Sequence, residues 1–169
     1  FGYPFGRIPA DALASAEPLG AGSGEPLRRW WRTALAVEIA GTAAAAFDLT
    51  LAYVKERRQF GRAIGSFQAL QHRMVETFMA YEQTKSMLYR AVCALGDERE
   101  DAATAAHALK VMLDKAGKLV FGEAIQIHGG MGITDELDIG HYAKRLMMIN
   151  TTFGNADYHQ AQFNARRYN

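Results

Sequence analysis

The sequence predicts an all-α fold, an up-and-down bundle of four long helices closed by a short C-terminal helix. Three observations lead there. All four prolines (Pro4, Pro9, Pro18 and Pro26) lie in the first 26 residues, and a chain without proline can sustain long helices, because proline in a helix interior costs ~3 kcal/mol. After residue 27, apolar residues recur at spacings of three and four, the mark of an amphipathic helix. No period-two alternation or hairpin signal appears beyond that point.

Residues 1–26 carry turn chemistry, with the prolines and a Gly20, Gly22, Gly24 cluster. They read as an extended connector with one strand near Gly6 to Ile8. Residues 27–169 form the bundle. The first helix, about 27–57, is alanine-rich, with a ridge of Leu35, Ile39, Ala43, Ala46, Leu49 and Tyr53. The second, about 67–95, places Phe67, Leu70, Met74, Phe78, Tyr81, Leu88, Val92 and Leu95 on one side, and at 1.5 Å per residue it reaches ~40 Å. Gly96 and Asp97 stop it. The third, about 101–127, carries Leu109, Met112, Ala116, Val120, Ala124 and Ile127 before the abrupt stop at Gly129, Gly130 and Gly132. The fourth, about 135–149, takes Thr134 as N-cap, with Asp135 and Glu136 at the positive end of its dipole. A short helix follows Asn155.

Composition narrows the function. Apolar residues make up 49% of the 169, enough for a real core, and the net charge of +1 provides no global field for nucleic acid. One cysteine, Cys93, excludes an internal disulfide and a cysteine-rich zinc site. Its apolar neighbours suggest a small buried hydrophobe, and its isolation suits a reducing cytoplasm. Unbroken apolar runs fall far short of the ~20 residues of a membrane span, and no signal peptide is recognisable. The start at Phe1, without methionine, reads as a piece of something longer. Glu-x-x-His, the di-iron signature of bundles, is absent, and the five histidines show no i, i+4 pair. The glycines after the third helix lack the G-x-G-x-x-G spacing and do not follow a strand. The helices are too long and too balanced in charge for a helix-turn-helix reader.

The run from Tyr53 to Gln68 is the densest in chemistry. Lys55, Arg57 and Arg58 close the first helix, Gln59 and Phe60 follow, Gly61 ends the helix, and Phe67 and Gln68 open the next. Cations at a helix C-terminus compensate its dipole by ~0.3–1 kcal/mol each. The same guanidinium forks suit phosphate and pyrophosphate, and phenylalanine with glutamine suits a flat heteroaromatic ring with polar edges. The residues alone leave both readings open. Gly129 and Gly130 are likewise either a plain helix stop or a place where backbone approaches an anionic ligand closely.

Together, Arg57-x-Gln59-Phe60-Gly61, Phe67-Gln68 and Gln126-x-x-Gly129-Gly130-x-Gly132, the two motif groups roughly 65 residues apart, resemble the C-terminal helical domain of the FAD-dependent acyl-CoA dehydrogenases. The resemblance covers about 27–160, and residues 7–20 look like the end of that family's preceding β-domain. Within the family, the run from His128 to Tyr142 is most like what is called the small subunit of pimeloyl-CoA dehydrogenase. The resemblance implies FAD as cofactor, with Arg57, Gln59 and Phe60 on its pyrophosphate and adenosine half and Gln68 nearby. It implies that Gln126, Gly129 and Gly130 reach the FAD of a neighbouring subunit, and that Asn155 replaces a threonine that contacts flavin. Arg32 and Gly154 would lie at the acyl-CoA substrate. Implied partners are a second subunit, as homodimer or heteromer, and an electron-accepting flavoprotein, with no role for nucleic acid or membrane.

The family reaction removes an α-proton with a glutamate whose pKa is raised in an apolar pocket. The position that resemblance assigns to this base is Phe153, and the alternative place, beside Arg32, is Trp31. Neither side chain accepts a proton. Glu38 lies seven residues after Trp31, ~10 Å further along the helix, too far to substitute, and is expected to bond a neighbouring helix. The expectation is therefore a subunit for α,β-dehydrogenation of an acyl-CoA whose base comes from a glutamate-bearing paralogue, with a non-catalytic flavin-binding or structural paralogue as the alternative.

Overall fold

A computed structural model of the chain describes residues 9–17, 20 and 22–168. The elements are α1 (Ala10–Ala14), α2 (Gly24–Glu56), β1 (Arg58–Gln59), β2 (Arg62–Ala63), α3 (Gln68–Gly96), α4 (Ala102–His128), α5 (Asp138–Thr151) and α6 (Ala156–Tyr168). Single 3-10 turns at Ile64–Ser66 and Gly129–Ile133 precede α3 and follow α4. The all-α bundle of four long helices and a shorter last one is the expected architecture.

Several boundaries differ from expectation for identifiable reasons. The connector contains α1, because three alanines and Asp11 in the first turn favour helix over extended chain. The strand expected near residues 6–8 lies outside the described residues. Helix α2 begins at Gly24 rather than Leu27, since Pro26 falls in the first turn, where its missing N–H leaves nothing unpaired. It ends at Glu56, with Arg57 already extended, so Gly61 is not its terminator. Gly61 instead belongs to a hairpin that pairs Arg58 with Ala63 and Gln59 with Arg62. The two loop residues, Phe60 and Gly61, both have positive φ, 53° and 78°, as a primed two-residue hairpin turn requires. Phenylalanine in place of the usual asparagine or aspartate hid this turn in the sequence. Helix α5 starts at Asp138, and Thr134 is not its N-cap: the Thr134 hydroxyl donates back to the Met131 carbonyl at 2.9 Å.

Helix α4 lies at the centre, packed against α2, α3, α5 and α6. Its buried residues include Leu109, Leu113, Val120 and Ala124, each about 1% exposed, and truncating such leucines to alanine costs ~2–5 kcal/mol. Most of the ridge assigned to α2 is buried, but Leu49 is exposed and Thr50 and Val54 take over the inward face. On α3, Phe78 and Val92 point outward while Thr77, Thr84, Ala91 and Ala94 fill the narrow contact with α4. Cys93 is exposed, contrary to the expected burial. Ala91, Ala94 and Leu95 turn inward, and the ~100° step per residue carries Cys93 to the outer face. Helix α2 is long and apolar enough to cross a membrane, with a mean hydropathy of 1.5 over its best 18 residues, of which 44% is buried within the bundle. Its alanines raise that average although Glu38 and Asp48 interrupt every run, which is why unbroken runs did not reveal it.

The stop after α4 depends on two glycines. Gly129 adopts φ 63° and ψ −141°, a region essentially restricted to glycine. Gly132 is buried where an added Cβ would lie 2.6 Å from the Ile125 carbonyl oxygen and 3.0 Å from the Ile125 Cα. Both contacts are backbone and cannot yield cheaply. Gly132→Ala is expected to destabilise the chain by about 1–3 kcal/mol in urea unfolding, whereas Gly122→Ala, where a Cβ meets nothing within 4 Å, should not. Equal midpoints for the two variants would contradict this packing.

Candidate functional site

The end of the bundle where α2 and α4 terminate holds an open groove of about 1150 Å³. The last turn of α2 supplies Tyr53, Glu56 and Arg57, the hairpin supplies Gln59 and Phe60, and Phe67 stands at the start of α3. Across from them lie His128, Gly129, Gly130 and Met131, with Glu136 and Asp138 before and at the start of α5. The sequence-predicted residues Arg57, Gln59, Phe60, Gly129 and Gly130 are thus brought together. Gln68 and Gln126 are exposed and do not line the groove.

The walls are aromatic. The Tyr53 and His128 rings stack with centroids 4.2 Å apart. Phe67 meets Phe60 edge-on at 6.0 Å and carries the Arg62 guanidinium over its face at 4.1 Å. Phe60 itself is 91% exposed at the hairpin tip, an uncovered ring available to stack. Among the described residues, Arg57, Arg58 and Arg62 form no ion pair. Arg57 is the only cation on the lining, beside the carboxylates of Glu56, Glu136 and Asp138. The floor therefore suits a flat, neutral heterocycle, and an anionic group would be held at the Arg57 rim. Backbone at Gly129 and Gly130 leaves space open, since a Cβ at either meets nothing within 4 Å.

The other predicted residues lie elsewhere. Arg32 is on α2, 25 residues before Arg57 at the helix's C-terminal end, about 37 Å along the axis. It neighbours a buried polar cluster that sequence reasoning did not assemble. His107 and His159 are 4% and 0% exposed, and their Nδ1 atoms are 2.8 Å apart. His159 Nε2 lies 3.2 Å from the Phe153 carbonyl oxygen. A carbonyl only accepts, so His159 carries its proton on Nε2, its Nδ1 accepts, and the His107 Nδ1–H donates. Lys110, 3% exposed, donates from Nζ to the carbonyls of Ile149 and Thr152, both at 3.3 Å, and of Asn150 at 3.5 Å. It thereby satisfies the C-terminal carbonyls of α5. Burial, opposed by Asp114 and reinforced by Arg32, pulls the Lys110 ammonium down to about 8.

These groups pin the turn that holds Phe153, Gly154 and Asn155. Phe153 has φ 61° and a 40% exposed ring, and Gly154 has φ 109°. A Cβ at Gly154 would meet the Tyr158 ring at 2.5 Å. The Asn155 side-chain oxygen accepts the Tyr158 backbone N–H at 3.0 Å, capping α6. Glu38 accepts from Arg145 Nε at 2.6 Å on α5, the neighbour-helix bond expected of it. Glu25 accepts from Arg28 and Arg32. Partial burial raises its carboxyl, but the Arg28 hydrogen bond and the charges of Arg32, Arg28 and Arg29 bring it below its usual value. Among the described residues no three His, Cys, Asp or Glu side chains gather as a metal site.

Residues 29–168 match the acyl-CoA dehydrogenase C-terminal domain. The chain belongs to this family. Acyl-CoA dehydrogenase IpdE2 of Mycolicibacterium smegmatis is 40% identical over 111 residues, 66% of this chain and 34% of that protein. The FAD complex of PigA is 27% identical with a TM-score of 0.79, covering 87% of this chain and 39% of that one. A probable acyl-CoA dehydrogenase from Mycobacterium abscessus, 24% identical, shares the fold with a TM-score of 0.83 over 94% of this chain and 42% of its own. The chain spans about a third of the length of the curated family relatives it matches.

The histidine pair makes this family member sensitive to acid. Burial first, then the charges of Arg32 and Arg166, lower His107 from 6.5 to about 4, and burial with the His107 and Lys110 charges lowers His159 to about 4. The unfolded chain binds more protons between these values, so the stability contribution is complete above about pH 6.5 and lost as pH falls toward 4. Urea unfolding should register a loss of roughly 3 kcal/mol for each histidine between pH 7 and pH 4. His159→Gln should flatten that acid limb, and a limb of unchanged steepness would refute the assignment.

Proposed function

We propose that this chain is a subunit or domain of an FAD-dependent acyl-CoA dehydrogenase assembly acting on an acyl-CoA thioester. The supporting observation is the convergence of Arg57, Gln59, Phe60, Gly129 and Gly130 on one groove in a chain of this family. The residues fit the adenosine half of FAD: an aromatic floor, an exposed ring at the hairpin tip, open glycine backbone and an unpaired guanidinium. Arg57 would take the pyrophosphate at the rim, and Phe60 and Gln59 would bear on the adenosine. Gln68 and Gln126, outside the groove, would act only across a subunit contact. When bound, FAD supplies the hydride acceptor for α,β-dehydrogenation.

At the opposite end, Arg32 and the pinned turn at Gly154 would face the thioester. Lys110 and His159 hold the turn's backbone, while Arg32 contributes a nearly buried positive charge. Asn155 is committed through its side-chain oxygen to α6 and offers only its amide N–H groups. No group here removes the α-proton: Phe153 and Trp31 are apolar, and Glu38 is paired with Arg145. The base is therefore assigned to a glutamate-bearing paralogue in a heteromer, in keeping with the likeness to a pimeloyl-CoA dehydrogenase small subunit. An electron-accepting flavoprotein would reoxidise the assembly, and the lone cysteine suits a cytoplasmic location. A non-catalytic flavin-binding or structural paralogue is the second reading, favoured by the same Phe153 and Trp31.

Two measurements separate these readings. Isothermal titration of FAD into the chain should give saturable binding that Arg57→Ala weakens about 10- to 100-fold, the range for a charge-assisted hydrogen bond. Absence of binding, alone and in the presence of copurified partners, would sink the cofactor assignment. Purification from native cells should bring down a homologue carrying glutamate where this chain has Phe153. Turnover of acyl-CoA by this chain alone would instead rule out a partner-supplied base.

A further inference from the structure

The groove lining contains one buried polar side chain that neither the packing nor the reading above accounts for. His128 is 7% exposed and lines the groove under Tyr53. Its Nδ1 lies 2.7 Å from the Ala124 carbonyl oxygen one helical turn back. That oxygen can only accept, so Nδ1 carries the hydrogen, and in the neutral ring Nε2 is a bare acceptor. Among the described residues Nε2 has no hydrogen-bond partner. Nor is it sealed in, because among the described residues the sealed side-chain nitrogens without partners are Arg29 Nε and Arg32 Nε. A side chain more than nine-tenths buried thus turns one acceptor toward a ligand groove, its tautomer fixed by helix α4 and its ring held by the tyrosine.

The geometry points to His128 as the residue that reads the base. Its Nε2 accepts a hydrogen bond from the ring amino group of a 6-aminopurine and gives the groove a preference for adenine. This inference rests on the adenosine site proposed above. The chemistry is selective by sign: a bare imidazole nitrogen attracts an N–H or O–H donor and repels a carbonyl or phosphate oxygen in the same place. Arg57 cannot supply this preference, since a guanidinium only donates and does not distinguish an amino purine from a purine lacking the group.

Titration calorimetry with ADP, purine riboside 5′-diphosphate (ADP without its amino group) and 2′-deoxy-ADP tests this directly. ADP should bind about 3- to 10-fold more tightly than the desamino analogue, the worth of one hydrogen bond. His128→Phe keeps an aromatic ring under Tyr53 but removes the acceptor, and its ratio should fall to near one. Equal affinity of the two analogues for the native chain, or a ratio that His128→Phe leaves intact, overturns the assignment. Loss of affinity for 2′-deoxy-ADP that vanishes in His128→Phe would place the hydrogen bond on the sugar and also overturn it. Nitrogen-15 NMR of the imidazole supplies a readout without a variant. The Nε2 resonance should shift with ADP and stay with the desamino analogue, and movement with both or with neither overturns the proposal. If neither ADP nor FAD binds, the adenosine site fails and this inference with it, a result distinct from binding without base preference.

Discussion

Helix α4 is flanked by α2, α3, α5 and α6 and leaves only the stripe of Lys115, Lys118, Gly122 and Gln126 exposed, and that enclosure governs both ends of the molecule. An enclosed helix must satisfy its polar side chains internally, since a buried polar group without a partner costs ~1–3 kcal/mol. Near its start, His107 and Lys110 do this by binding α6 and the end of α5. At its finish, His128 bonds its own preceding turn and keeps one acceptor for the groove. The same requirement that stabilises α4 therefore builds the turn around Gly154 and the floor of the groove.

The two ends differ in electrical character. The Arg32 end gathers Arg29, Arg32, Lys110, Arg166 and two neutral histidines, with Glu25 and Asp114 as the nearby acids. The Arg57 end sets one lining cation against three carboxylates. The two ends lie about 37 Å apart along α2, more than a single compact ligand spans.

The helices were legible because burial on one face imposes its period on the sequence: Leu109, Ala116, Val120, Ala124 and Ile127 repeat as α4 turns. The groove was legible through its termini, since helix stops at Arg57 and Gly129 coincide with unusual residue choices. The hairpin was not, because its turn places Phe60 where sequence statistics favour asparagine, and strands of two residues have no period to detect. Thr134 looked like an N-cap but closes the C-terminal end of a 3-10 turn set by the close approach of Gly132 to Ile125. The His107 and His159 pairing spans 52 residues, a relation that tertiary packing alone creates. Lys110, between Leu109 and Val111 on the apolar face of α4, was the one local hint that something polar lay inside.

Phe153 carries a wider implication. A non-glycine residue in the left-handed region costs roughly 1–2 kcal/mol, and here that conformation is held although the side chain cannot exchange a proton. The constraint comes from Lys110 and His159 gripping the backbone on either side, with no contribution required from the residue that occupies the position. The shape of this turn is thus set by the side chains that hold its backbone, and it would persist with a different side chain at 153.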